Sequence, residues 1–105
     1  MDRTKRARLE AAGWAVSTPK EFLELSDEEA VFIEVKVALA AALRALRTGQ
    51  AMSQVEAARR LHSSQSRVAK MESADPSVTV DLLLRSFLRL GGSRETMIAA
   101  LAAVS

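Results

Sequence analysis

Four side chains on one short stretch, Gln65, Ser66, Arg67 and Lys70, offer donors and acceptors with no carboxylate among them. An amide of glutamine length pairs bidentately with adenine, an ammonium reaches the acceptors of guanine, and a hydroxyl suits several base edges. Gln65, Ser66 and Lys70 are therefore the candidates for contact with bases. Gln54, Ser64 and Arg67 are candidates for phosphates, and Arg44 is a weaker one. Gln54 opens a helix, which places its amide and backbone N–H for an anion. Arg59 and Arg60 read as solvated cations. For each of these positions the competing reading is a merely polar helix surface, so the elements that carry them matter.

Two short helices sharing one interior would place these groups. From Gln54 to Leu61 the spacing predicts Val55, Ala58 and Leu61 as inward positions, and from Gln65 to Met71 it predicts Val68 and Met71. Ser53 with Glu56 three residues on is a capping box, His62 and Ser63 make the turn, and Ser64 caps the second helix. Ala58 is small where the helices must approach closely. The polar row then sits at the N-terminal end that a groove-reading helix presents first. This is the pattern of a helix-turn-helix.

The sequences Leu43-Arg44-Ala45-Leu46-Arg47, Met52-Ser53-Gln54 and Ser64-Gln65-Ser66-Arg67-Val68-Ala69-Lys70-Met71-Glu72 resemble the lambda Cro/phage-repressor (XRE) family of DNA-binding domains over roughly residues 28 to 101. The resemblance implies that Arg47, ending one helix, pairs with Glu72, ending the recognition helix, as a structural ion pair. It departs at His62, where the family usually has a glycine in left-handed conformation. It departs again at Ala57, where a larger aliphatic residue is usual, which predicts a slack corner of the core or one filled from elsewhere.

Composition narrows the remaining classes. A chain of 105 residues makes one domain, small enough to gain from an oligomer interface. It has no cysteine and one histidine, which argues against disulfides, thiolate zinc sites and histidine-rich metal sites. Asp27, Glu28 and Glu29 splay apart on a helix and suit its positive end better than they suit a metal. No cofactor and no metal are expected. Three phenylalanines and one tryptophan are few for stacking single-stranded bases. No Gly-rich phosphate loop, nucleophile elbow or triad is present, so the chain is expected not to be an enzyme. No apolar run reaches the roughly 18 residues of a membrane span and the start has no signal-peptide pattern, which predicts a cytoplasmic protein, nucleoid-associated when bound to DNA.

Charge is distributed unevenly although the formal net charge is only +2. Between residues 44 and 70, Arg44, Arg47, Arg59, Arg60, Arg67 and Lys70 oppose only Glu56. Between residues 20 and 34, Lys20 opposes Glu21, Glu24, Asp27, Glu28, Glu29 and Glu34. A cationic motif beside an acidic segment predicts two faces, one toward phosphates and the other toward solvent or a basic partner.

Along the chain, residues 1–25 read as an N-terminal extension, a basic arm (Arg3, Lys5, Arg6, Arg8) followed by a short helix. Thr18-Pro19-Lys20-Glu21 would cap that helix, which buries Phe22, Leu23 and Leu25. Residues 26–105 read as the helix-turn-helix domain. Its first helix starts at the box Ser26-Asp27-Glu28-Glu29 and is expected to run to about Arg47, with Phe32, Val35, Leu39, Ala42 and Leu46 as a stripe. Val31, Ile33, Val37 and Ala38 widen that stripe, so it needs cover on two sides, from the motif and from either the extension or a second subunit. Thr79 caps a helix to Leu90 with Leu83, Leu84, Phe87 and Leu90 inward. Gly91-Gly92 ends it, and a last helix runs from about Arg94 to Ala103 with Met97, Ile98 and Leu101 apolar.

The fold class expected is all-α, a five-helix Cro/repressor-like helix-turn-helix domain with a short helical N-terminal extension. The function expected is sequence-specific binding of double-stranded DNA by a homodimeric repressor on a pseudo-palindromic operator. The family's habits and the chain's size imply a HigA-like antitoxin that represses its own operon and binds a toxin protein through the Trp14–Leu25 and acidic segments. The alternative is a protein-interaction adaptor that kept the fold and lost DNA readout, which calls for a neutral or acidic recognition helix.

Overall fold

A computed structural model describes residues 26–103. The predicted basic arm and Thr18-capped helix lie outside the described residues. Among those described there are five helices and no strand: α1 (Asp27–Gly49), α2 (Gln54–Arg60), α3 (Gln65–Glu72), α4 (Val80–Arg89) and α5 (Arg94–Ala102). The chain divides into two units, Met1–Ile33 and Glu34–Ser105, so α1 begins in one and ends in the other. In the first unit the Ser26 hydroxyl accepts the Glu29 N–H at 3.2 Å and the Glu29 carboxylate accepts the Ser26 N–H at 3.1 Å. Both partners of the predicted capping box are in place. These hydrogen bonds hold the Glu29 carboxyl below the usual glutamate range.

Each later helix starts on a hydroxyl cap in extended conformation. Ser53 accepts from Glu56 N–H, Ser64 from Arg67 N–H, Thr79 from Leu82 N–H and Ser93 from Thr96 N–H. At Ser53 the Glu56 carboxylate turns instead to Arg59 at 3.3 Å and Arg60 at 3.7 Å. At Ser93 the box is complete, with Thr96 rather than an acid as its second member.

Four helix ends share one geometry. Ala51, His62, Ala74 and Gly91 have positive φ of 55°, 53°, 56° and 106°. In each case the N–H of the following residue reaches back to the carbonyl five residues earlier: Met52 to Arg47, Ser63 to Ala58, Asp75 to Lys70 and Gly92 to Phe87. This is the Schellman arrangement, which satisfies carbonyls the helix itself leaves open. His62 adopts the left-handed conformation expected for it, and the structure adds Ala51 and Ala74.

The core of the second unit collects Leu39, Ala40 and Leu43 of α1, Ala57, Ala58 and Leu61 around α2, Val68 and Met71 of α3, and Leu83, Phe87 and Leu90 around α4, with Met52 and Val78 from the loops. Val35, Ala42, Leu46, Met97 and Leu101 pack against it from its margin. Three expectations are corrected. Val55 is 57% exposed while Ala57 is fully buried. The buried set of α2 is Ala57, Ala58 and Leu61, and at 3.6 residues per turn Val55 points roughly 100–120° away from its mean direction. The corner at Ala57 is closed to solvent, in keeping with the expectation that it is filled from elsewhere. Phe32, placed on the α1 stripe, is 55% exposed; the stripe's most buried member is Leu39, and the fully buried Leu43 beside it is not among the stripe residues. Leu84 is only half-buried, whereas Ser86 is buried on α4 and its hydroxyl lies 3.4 Å from Met71 Sδ.

Candidate nucleic-acid interface

The outer row of α3 is exposed at Gln65, Ser66, Arg67 and Lys70, while Val68 and Met71 of the same helix are buried. The alternation follows from the helical period. Arg67 and Lys70, and Arg44 on α1, are exposed and form no salt bridge among the described residues. Arg59 and Arg60 differ, since both share Glu56, and Arg85 pairs with Asp81 at 3.0 Å. The cationic segment thus divides into cations with an acidic partner and cations without one. Arg67 and Lys70 on α3 and Arg44 toward the end of α1 are of the second kind, whereas Arg47 in the last turn of α1 is paired.

Arg47 and Glu72 are brought together. Arg47 Nε lies 2.5 Å from Glu72 Oε2 and Nη2 lies 3.0 Å from Oε1, while Nη1 donates to the Met52 carbonyl at 2.8 Å. The side chains are 12% and 5% exposed. A bidentate fork of this kind fixes both planes at once, so the C-terminal end of α3 is tied to the last turn of α1. The hydrogen bond to Glu72, more than its charge, raises the Arg47 pKa above the ordinary value.

Two contacts join this pair to the outer row. Gln54 Nε2 donates to Glu72 Oε1 at 3.1 Å, and Gln65 Nε2 donates to Gln54 Oε1 at 2.8 Å. Sequence reasoning placed Gln54 and Gln65 as separate contacts and missed their union. A signal existed: each follows a serine cap, so Ser53-Gln54 and Ser64-Gln65 put a glutamine at the first position of two consecutive helices that pack together. Ser64 spends its oxygen on the Arg67 N–H at 3.1 Å and keeps its O–H as a donor.

Behind the motif, the loop after α3 is held from α1. Lys36 Nζ donates to the Asp75 carbonyl at 3.0 Å, and the Asp75 carboxylate accepts the Ser77 N–H at 2.8 Å. Hydrogen bonds to Ser77, aided by the charges of Lys70 and Lys36, hold the Asp75 carboxyl below the usual range.

A family model for the helix-turn-helix domain matches residues 38–102. The chain belongs to the helix-turn-helix domain family. The match spans all of α2 to α5 and the inner half of α1. No curated protein and no solved structure matches the chain. Membership suggests DNA as the ligand, and helix-turn-helix DNA-binding domains are typically non-enzymatic. Among the described residues no helix is long and apolar enough to cross a membrane, and no group of three His, Cys, Asp or Glu side chains is placed to hold a metal.

Proposed function

We propose that this helix-turn-helix protein is a homodimeric repressor of the phage-repressor (XRE) kind that reads double-stranded DNA in the major groove through α3. One observation carries the reading: the exposed row of α3 has amide, hydroxyl and cationic groups and no carboxylate. Gln65, Ser66 and Lys70 are assigned to base edges, and Gln54, Ser64, Arg67 and Arg44 to phosphates. Val68 and Met71 anchor the helix from beneath, and the Arg47–Glu72 fork orients it. An adaptor without DNA readout gains no support from an α3 surface of this chemistry. Selection from random duplexes with the purified chain, followed by footprinting, tests the proposal. It predicts a pseudo-palindrome whose half-sites lie about 34 Å apart, and enrichment of no sequence would overturn it.

The start of α1 favours a second activity alongside the first. Val31 and Phe32 are exposed beside Asp27, Glu28, Glu29 and Glu34, a mixture of apolar and acidic groups suited to a basic protein partner. On this reading the chain is the antitoxin of an operon it represses. Co-expression with the protein of the adjacent reading frame decides it: an antitoxin rescues growth and binds that protein, and failure to do either removes the assignment.

A further inference from the structure

The ion pair and the two glutamines form a chain of hydrogen bonds with a direction. Glu72 Oε1 accepts from Arg47 Nη2 at 3.0 Å and from Gln54 Nε2 at 3.1 Å. A carboxylate paired with a guanidinium has lone pairs and no proton to give, so an amide that touches it must present its NH2. With its nitrogen toward Glu72, Gln54 turns its oxygen the other way. There Oε1 accepts from Gln65 Nε2 at 2.8 Å. The two ends of an amide have nearly the same shape, so partners decide which way it lies. Reversing Gln54 would set oxygen against oxygen at Glu72 and nitrogen against nitrogen at Gln65.

Gln65 is left with its carbonyl oxygen and one N–H. That combination complements the major-groove edge of adenine, which offers the N6 donor and the N7 acceptor, and it mismatches guanine, which offers two acceptors. A Gln65 released from this order can turn its NH2 toward either purine.

We propose that Glu72 is a positioning residue for base preference: its nearly buried carboxylate orders the Gln54 amide, and Gln54 in turn orders Gln65 to favour adenine over guanine. The inference rests on the assignment of Gln65 to a base edge. Glu72 itself acts from the far end of α3 and needs no contact with DNA. Its role in stability, through Arg47, is separate from its role in setting the direction of the relay.

Affinity of the full chain is measured on the selected operator and on derivatives with adenine replaced by guanine at the position where Gln65→Ala abolishes preference. Glu72→Gln should lower the adenine-over-guanine ratio about tenfold or more. Gln54→Leu, which leaves the Arg47–Glu72 fork intact, should lower it likewise. Arg47→Lys weakens the fork but keeps an anion at Glu72, so it should hold the ratio within about twofold. In the free protein, the side-chain amide proton resonances of Gln54 and Gln65 should move to solvent-exposed amide positions in Glu72→Gln. An unchanged ratio in both Glu72→Gln and Gln54→Leu overturns the proposal, as does an equal loss in Arg47→Lys. Solvent-exposed amide resonances in the unmodified protein overturn the relay alone. Finding no base position that depends on Gln65 removes that assignment and the inference with it.

Discussion

Lys70 and Gln65 share the exposed row of α3 with Arg67, and substitution separates reading a base from holding a phosphate. Lys70→Ala and Gln65→Ala should each cost about 1–3 kcal/mol on the selected operator and little on random duplexes. Equal losses on both would move these side chains to the phosphate class. Arg47 behaves differently, because its fork with Glu72 is almost closed to water. Arg47→Met should destabilise the fold by about 3 kcal/mol, since it strands a nearly buried carboxylate, and Arg47→Met with Glu72→Leu should recover much of the loss. Thermal unfolding of the two variants checks this. Single substitutions that melt like the parent would show that the fork contributes nothing.

The helix ends carry their own strain. Ala51, His62 and Ala74 are left-handed with a Cβ, a conformation that costs a side chain about 1–2 kcal/mol relative to glycine. Replacing each by glycine should raise stability by about 1 kcal/mol after the entropy of the unfolded chain is counted, as read by chemical denaturation. At the fourth end the prediction reverses. A Cβ on Gly92 would sit 2.3 Å from the Phe87 ring, and Phe87 is core, so Gly92→Ala should destabilise by about 1–3 kcal/mol. The loop after α3 also makes a contribution to stability that depends on pH. The Asp75 carboxyl is held below its ordinary value by Ser77, so the native state binds its proton more weakly than the unfolded chain does. The stabilisation is fully present above the unfolded aspartate value and is lost as pH falls through the lower folded value. Asp75→Asn should therefore flatten the dependence of Tm on pH below about 4, and a slope unchanged by the substitution would clear Asp75 of the effect.

For the whole molecule the prediction concerns self-association through exposed apolar residues. Met97 and Leu101 face inward from α5 onto the core, while Ile98 is 57% exposed and Leu88 is also exposed. Charge at Leu101 would perturb the fold along with any interface, so Ile98 is the position to change. Ile98→Glu should yield monomers by sedimentation, with operator affinity collapsing as the gain from linking two half-sites disappears. An unchanged dimer with unchanged binding would take α5 out of the interface and turn attention to Phe32. Charge predicts the salt response: each cation that neutralises a phosphate steepens the fall of log affinity with log salt by about 0.9. Arg67→Ala should relieve that slope by about this amount per subunit, whereas Arg59→Ala, which only frees Glu56, should not.

Features set by neighbours along the chain were legible in the sequence. Hydroxyl caps at Ser53, Ser64 and Thr79, the box at Ser26, the turn at His62 and the buried Val68 and Met71 all follow from capping chemistry and the helical period, which act within a few residues. The Arg47–Glu72 contact was implied by family resemblance alone, because nothing in local sequence joins residues 25 apart. Tertiary packing decided the rest. Two alanines side by side, Ala57 and Ala58, outweighed the larger Val55 in orienting α2, since the helix buries the face on which its neighbours can approach closely. Gln54 meets Gln65 because two capped helix starts converge, and the packing of α2 on α3 brings the Gln54 amide to the Glu72 carboxylate. A donor's partner depends on which groups folding leaves nearby and dry. Composition and spacing place the candidates on a face; only the packed structure sets which atoms they turn toward one another.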